Sequence, residues 1–175
     1  RLLQLINELM DFRKAKSNSF KLMVQSFDCT AYIRSIAQEF KSIAEHNNID
    51  YRIITPHIPI KVYSDPILLE KIILNLLNNA FKYCNSGIIE IELAEKMDIN
   101  NETLKNRTEI LSGYKAKAYF YIRIKDTGIG ISAESIDKVF DRYYQIEDSE
   151  HDQHLGSGVG LALVKELILL HKGSL

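Results

Sequence analysis

Apolar and polar positions along the chain alternate with two different periods, and these divide it into elements. Leu2, Leu5, Ile6, Leu9 and Phe12 form a stripe at helical spacing. With no capping residue before it, this stripe is read as a helix continuing from further upstream, either folding back on its own domain or pairing with another helix. Arg13 to Asn18 is basic and polar and reads as a linker. Phe20 to Phe27 suits a short strand. Asp28 is a fitting N-cap for a helix carrying Tyr32, Ile33, Ile36, Phe40 and Ile43 to about Glu45, with Asn47-Asn48 as its break. Asp50 to Ile54 and Ile60 to Tyr63 alternate as strands do. Asp65-Pro66 is a strong helix start, since aspartate caps and proline needs no N–H at the first helical position.

The helix that follows leads to a β-rich run, Gly87 to Ala94, and a polar stretch, Glu95 to Lys115, read as a long hairpin connection. Ala118 to Ile124 alternates as a strand ending at Lys125-Asp126. Ser132 is read as the cap of a helix through Phe140. Tyr143 to Ser157 is polar and loop-like, and Val159 to Leu170 is a final apolar helix with Gly173 beyond it as a stop. Strands and helices mix without regular βαβ alternation. This predicts an α+β fold, a two-layer α/β sandwich with helices on one face of a mostly antiparallel mixed sheet, plus the N-terminal helix.

Composition narrows the class. At 175 residues, 46% hydrophobic and 26% charged, the chain has ordinary globular values and enough length for one domain with a core. A net charge of -1 gives no basic field for nucleic acid or an anionic membrane. Cys29 and Cys84 make no disulfide scaffold and lack metal-ligand spacing, so they read as plain thiols. No apolar run reaches the roughly 18 residues of a membrane span. The most apolar stretch, Ile67 to Phe81, carries Glu70, Lys71 and three Asn.

Three clusters carry candidate chemistry. Asn75, Asn79 and Lys82 share one face of the helix after Asp65, with Leu74, Leu77 and Phe81 largely on another. Two amides and an ammonium suit a hard cation and phosphate oxygens; the alternative is a solvated polar face. Asp126-Thr127-Gly128-Ile129-Gly130-Ile131 follows a strand directly. Its glycines permit a tight turn, and a buried Asp there could accept from the amino group of an adenine; the alternative is an ordinary glycine turn. Gly156-Ser157-Gly158-Val159-Gly160-Leu161 runs into a helix, where backbone N–H groups cradle anions. It superficially matches a dinucleotide fingerprint, but no strand precedes it, and no Gly-Lys-Ser or Gly-Lys-Thr marks a Walker loop.

In this order the clusters resemble the N, G1 and G2 boxes of the histidine-kinase, gyrase and Hsp90-like ATPases. Val139-Phe140-Asp141-Arg142-Tyr143-Tyr144 is similar to the F box of histidine kinases, and Asp11 to Lys14 is similar to hybrid two-component sensors of Bacteroides type. The resemblance covers the chain almost end to end. It implies the ATP-binding Bergerat-type fold. It also implies that residues 1–18 are the last helix of a dimerisation domain with its linker, and 19–175 a catalytic domain truncated before its final strands.

The function implied is ATP-dependent phosphorylation of a histidine on the dimerisation domain. Asn79 would ligate magnesium, with Asn75 beside it as a second candidate. Asn75 stands where hydrolysing relatives carry a water-activating Glu, and an amide is a poor base, which favours transfer over hydrolysis. Lys82 would contact phosphates; Asn75 and Lys82 are the catalytic candidates. Tyr83, Ile131 and Tyr144 would line the nucleotide site, and Asp126 would read the adenine amino group. Gly128 and Gly130 would shape the turn beside the base. Ile146 to Leu155 would form a lid, hinged by Gly156, Gly158 and Gly160, with Ser157, Val159 and Leu161 completing the phosphate loop.

The departures are Gln145 where many relatives have Arg, and His151 and His154 where many have Lys or Arg, which weakens a cationic clamp on the γ-phosphate. None of His46, His57, His151, His154 or His171 sits in a phosphoacceptor motif, so the acceptor is expected upstream, and the fragment is expected not to autophosphorylate alone. Partners implied are the dimerisation helices of the same kinase in a homodimer and a response-regulator receiver domain, with neither nucleic acid nor membrane bound here. The setting implied is the cytoplasmic part of a membrane-anchored sensor. Two other readings stay open: an ATP-hydrolysing relative of the same fold, and a non-catalytic signalling module.

Overall fold

The computed structural model describes residues 2–16, 21–95, 120–145 and 157–175. The expected lid, His151, His154, Gly156 and most of the Glu95 to Lys115 connection lie outside the described residues. The chain forms two compact units. One holds the N-terminal helix together with the chain from Ile131 onward; the other holds Met23 to Glu95 and Phe120 to Gly130.

The second unit is organised around helix α4 (Pro66–Tyr83). Its start is built as the sequence implies. Pro66 opens the first turn, and Asp65 Oδ1 accepts from the N–H groups of Ile67 (3.0 Å) and Leu68 (3.1 Å). The other carboxylate oxygen accepts from the Met23 N–H at 2.8 Å, so one buried side chain caps the helix and holds an incoming strand. Asp65→Ala is therefore expected to cost about 1–2 kcal/mol, read as a lower urea midpoint at unchanged slope. An unchanged midpoint would show that the cap contributes nothing.

The buried stripe of α4 is Leu68, Leu69, Ile72, Ile73, Leu77, Ala80 and Phe81. Of these, Leu69, Ile73, Leu77, Ala80 and Phe81 lie over the sheet formed by β2 (Ile49–Ile54), β4 (Gly87–Glu95) and β5 (Phe120–Asp126), in the order β2-β4-β5. β2 and β4 are parallel, while β4 and β5 are antiparallel with Ile89 opposite Asp126. Strand alternation puts Ile89, Ile91 and Leu93 into the core, each almost wholly buried. On β5 the sheet's other face carries Arg123, which pairs with Glu92. β1 (Gln25–Asp28) and β3 (Lys61–Ser64) form a separate antiparallel pair. Phe81 stacks on Phe40 and meets Tyr51 edge-on, both at 5.2 Å between centroids. Each fully buried aliphatic side chain of this cluster contributes about 1.5–3 kcal/mol. Cys29 and Cys84 are buried free thiols, and burial pushes Cys29 up to about 12.

The sequence pattern misjudges several boundaries. Of the strand expected from Phe20 to Phe27, Phe20 lies outside the described residues, and from Lys21 onward pairing begins only at Gln25, where β3 supplies a partner. The helix expected from Asp28 to Glu45 is two, α2 (Cys29–Gln38) and α3 (Lys41–His46): the chain turns at Glu39 and Phe40, and the Phe40 ring stacks on Phe81. Asn48, at φ 54, makes the expected break.

In the first unit, α1 (Leu2–Lys16) runs past Arg13, where a linker was expected. The α1 stripe is uneven: Phe12 and Ala15 are buried, whereas Ile6 and Leu9 are exposed. α1 packs against α5 (Gly160–Leu170). The helix expected at Ser132 to Phe140 is instead a succession of turns. Ser135 and Ile136 donate to the Ser132 carbonyl, and Lys138 and Val139 to that of Ser135. The Ser132 hydroxyl bonds the Ser135 hydroxyl at 2.9 Å instead of capping a helix. α5 ends with Gly173 N–H donating to the Ile168 carbonyl at 2.9 Å, but the left-handed residue is Lys172, at φ 57.

Candidate functional site

The polar face of α4 and the first glycine turn are joined by backbone. Asn75, Asn79 and Lys82 share one face of α4, away from Leu69, Ile73, Leu77 and Ala80 but in line with the buried Leu68 and Ile72 of its earlier turns, and each is half-buried. The Asn75 side-chain nitrogen donates to the Lys71 carbonyl at 2.8 Å, so the atom it can offer a ligand is its amide oxygen. Lys82 Nζ donates to the Tyr83 hydroxyl at 2.8 Å and sits 4.5 Å from the Tyr83 ring centroid.

At the end of β5 the chain turns back onto the end of α4. The Ile129 N–H donates to the Tyr83 carbonyl at 3.2 Å. Gly128 sits so close that a Cβ there would lie 2.3 Å from the Tyr83 carbonyl oxygen. Asp126 Oδ1 accepts from the Gly128 N–H at 2.9 Å, which leaves its second oxygen as an acceptor for a ligand. Asp126 is exposed here, not the buried acceptor expected of it. A carboxylate at a strand end is reached by water until something apolar covers it. Gly130 needs its glycine only for backbone conformation, at φ 72 with nothing within 4 Å of a Cβ.

Sequence reasoning missed two residues that fix this turn. Thr127 donates its N–H to the Ile88 carbonyl (3.1 Å) and accepts the Ile88 N–H on its hydroxyl (2.9 Å), closing the end of the β4–β5 pair. Gly87, at φ 110, leaves space for that hydroxyl, since a Cβ would lie 2.2 Å from it. The available signal was the Ser86-Gly87 pair before a β-rich run, a turn cue that nothing in the sequence linked to residue 127.

The second glycine turn belongs to the other unit. Gly158 has φ 64, and its carbonyl accepts from the Tyr143 N–H at 2.8 Å. Ser157 Oγ accepts from the Val159 N–H at 3.2 Å. α5 begins at Gly160 with no side-chain cap at Val159, and Leu161 lies in its first turn. Backbone amides at such a start suit an anion. Tyr144 donates its hydroxyl to Ser135 Oγ at 2.9 Å, and Ile131 is exposed.

A family model described as histidine kinase-, DNA gyrase B- and HSP90-like ATPase matches residues 64–175. The chain is 34% identical over 177 residues to a protein named histidine kinase P4 of Formosa agariphila, covering 99% of this chain and 12% of that one. It is 30% identical over 173 residues to hybrid signal transduction histidine kinase D of Dictyostelium discoideum, covering 99% and 10%. The chain thus spans about a tenth of the length of these curated relatives. Among solved structures, full-length ShkA in complex with AMPPNP superposes with a TM-score of 0.72 at 22% identity, over 95% of this chain and 30% of that one, which shows the fold.

Proposed function

We propose, from the premise that the chain belongs to the histidine kinase-, DNA gyrase B- and HSP90-like ATPase family, that it is the ATP-binding catalytic part of a two-component sensor histidine kinase. Residues 19–175 are the catalytic domain and residues 1–18 the end of the dimerisation domain with its linker. The observation that carries the reading is the junction in which Ile129 N–H meets the Tyr83 carbonyl. It sets a carboxylate, Asp126, beside the end of a helix whose polar face holds Asn75, Asn79 and Lys82.

The roles follow from the chemistry of each group. Asp126 accepts from the adenine amino group, while Gly128, Gly130, Ile131, Tyr83 and Tyr144 shape the surroundings of the base. Asn79, with Asn75, supplies amide oxygens to magnesium, which prefers oxygen ligands and keeps much of its water. Lys82 exchanges the Tyr83 hydroxyl for a phosphate oxygen, gaining a charge-assisted bond. Gly156, Ser157, Gly158, Val159, Gly160 and Leu161 offer backbone N–H groups to the phosphates. Phosphoryl transfer rests on positioning and neutralisation of charge, and this inventory serves both. When bound, magnesium would neutralise charge on the nucleotide phosphates. The γ-phosphoryl acceptor is a histidine of a dimerisation domain, and the onward partner is a receiver domain. No helix among the described residues is long and apolar enough to cross a membrane; a cytoplasmic placement in a membrane-anchored sensor is part of the proposal.

Two measurements test this. Supplying a separate acceptor-helix hairpin with radiolabelled ATP is expected to yield phosphohistidine on the hairpin. Steady phosphate release without an acceptor would favour a hydrolase instead, and nucleotide-independent behaviour throughout a non-catalytic module. In titration calorimetry, Asn79→Ala is expected to abolish the gain in ATP affinity that magnesium gives the wild type. An undiminished magnesium effect would remove Asn79 from the metal site.

A further inference from the structure

The contacts of Arg142 serve no role in the nucleotide chemistry above, yet they tie three parts of one unit together. Its guanidinium carbon lies 4.1 Å from the ring centroid of Phe12, the buried aromatic of α1. The next residue, Tyr143, is in the left-handed region at φ 61, a conformation that side-chain-bearing residues adopt only when held. What it faces is Gly158, also left-handed at φ 64. Tyr143 N–H donates to the Gly158 carbonyl at 2.8 Å, and a Cβ on Gly158 would lie 2.7 Å from Tyr143 Cα. On its other side Gly158 leads through Val159 into α5, which itself packs on α1. The second glycine turn is thus bracketed by two supports, and both rest on α1.

We propose that Arg142 is a positioning residue: pinned on Phe12, it holds the Tyr143–Gly158 junction in the shape the phosphate-binding turn requires, so that the placement of α1 is read at that turn. This rests on the nucleotide reading above for its consequence, but not for its mechanics. The cation–π contact fixes the Arg142 side chain, and through it the peptide that orients the Tyr143 N–H. Releasing the contact frees Tyr143 to leave its left-handed conformation, and the hydrogen bond to Gly158 opens more often.

The test is amide hydrogen exchange on the 175-residue chain without nucleotide, followed at Tyr143 and, as an internal control in the other unit, at Ile129. Arg142→Met keeps the stem and removes the charge; Phe12→Leu removes the ring. Each is expected to speed exchange at Tyr143 about two- to fivefold, the factor that a cation–π contact at an exposed site carries, and to leave Ile129 unchanged. Arg142→Lys and Phe12→Tyr are expected to restore the wild-type rate, and the Met/Leu double variant to exchange no faster than either single one. An unmoved Tyr143 rate, equal acceleration at Ile129, or failure of both conservative variants would overturn the proposal. A second arm measures Mg-ATP affinity, expected to fall by a similar factor in Arg142→Met. Equal affinity of that variant and a binding-competent wild type would overturn the positioning role. If the wild type itself binds no ATP, it is the nucleotide reading that fails, and the exchange arm still decides the linkage.

Discussion

Replacing Gly128 with alanine is expected to cost about 3 kcal/mol of folding stability, at the upper end for an overpacked site, and at least tenfold in ATP affinity, about 1.4 kcal/mol. The added Cβ would lie 2.3 Å from the Tyr83 carbonyl oxygen, 2.8 Å from its carbonyl carbon and 2.9 Å from Asp126 Oδ1. No rotamer change relieves a clash with backbone. Tyr83 cannot retreat cheaply either, because its carbonyl is the acceptor for Ile129 and its helix is anchored by the core. The turn must move, carrying Asp126 with it. Gly130→Ala is the comparison: nothing lies within 4 Å of its Cβ, so only its left-handed backbone is penalised, at about 1–2 kcal/mol. Denaturant midpoints and ATP titrations on the two variants separate close approach from conformation. Equal losses would mean that the packing of Gly128 on Tyr83 contributes nothing.

Asp126→Asn is expected to weaken ATP binding at least tenfold, about 1.4 kcal/mol or more, while leaving the fold nearly unchanged. Asp126 has two tasks: one oxygen accepts from Gly128 N–H at 2.9 Å, and the other is assigned to adenine. Asparagine has a single carbonyl oxygen. If that oxygen keeps the Gly128 bond, an NH2 group faces the adenine amino group, donor against donor. If the amide turns over, it faces Gly128 N–H with the same mismatch. Either way one donor loses its partner, which is the costly outcome for a group removed from water. Titration calorimetry together with a thermal melt reads both quantities. Unchanged affinity would show that Asp126 does not hold the base.

The mismatches between pattern and structure have specific causes. Periodicity reads residues 28–45 as one helix because Tyr32, Ile33, Ile36, Phe40 and Ile43 keep helical spacing across the break; the ring at the turn, Phe40, stacks on Phe81, a contact far along the chain that spacing does not show. Ser132 looked like a cap, but its hydroxyl found the Ser135 hydroxyl first. Arg142 read only as part of a box, because its partner Phe12 lies on the opposite end of the sequence.

Local chemistry alone settled the start of α4, since Asp65 and Pro66 act within one turn, and it grouped Asn75, Asn79 and Lys82 on one side of the later turns, since periodicity is a property of the chain itself. It also marked the glycine turns as places of close approach. Which surfaces those glycines approach was decided only in three dimensions. The Tyr83 carbonyl beside Gly128, the Thr127 hydroxyl beside Gly87 and the Tyr143 backbone against Gly158 are meetings of residues distant along the chain. A missing Cβ leaves a space whose occupant the sequence does not name, because the occupant is delivered by the packing of other elements.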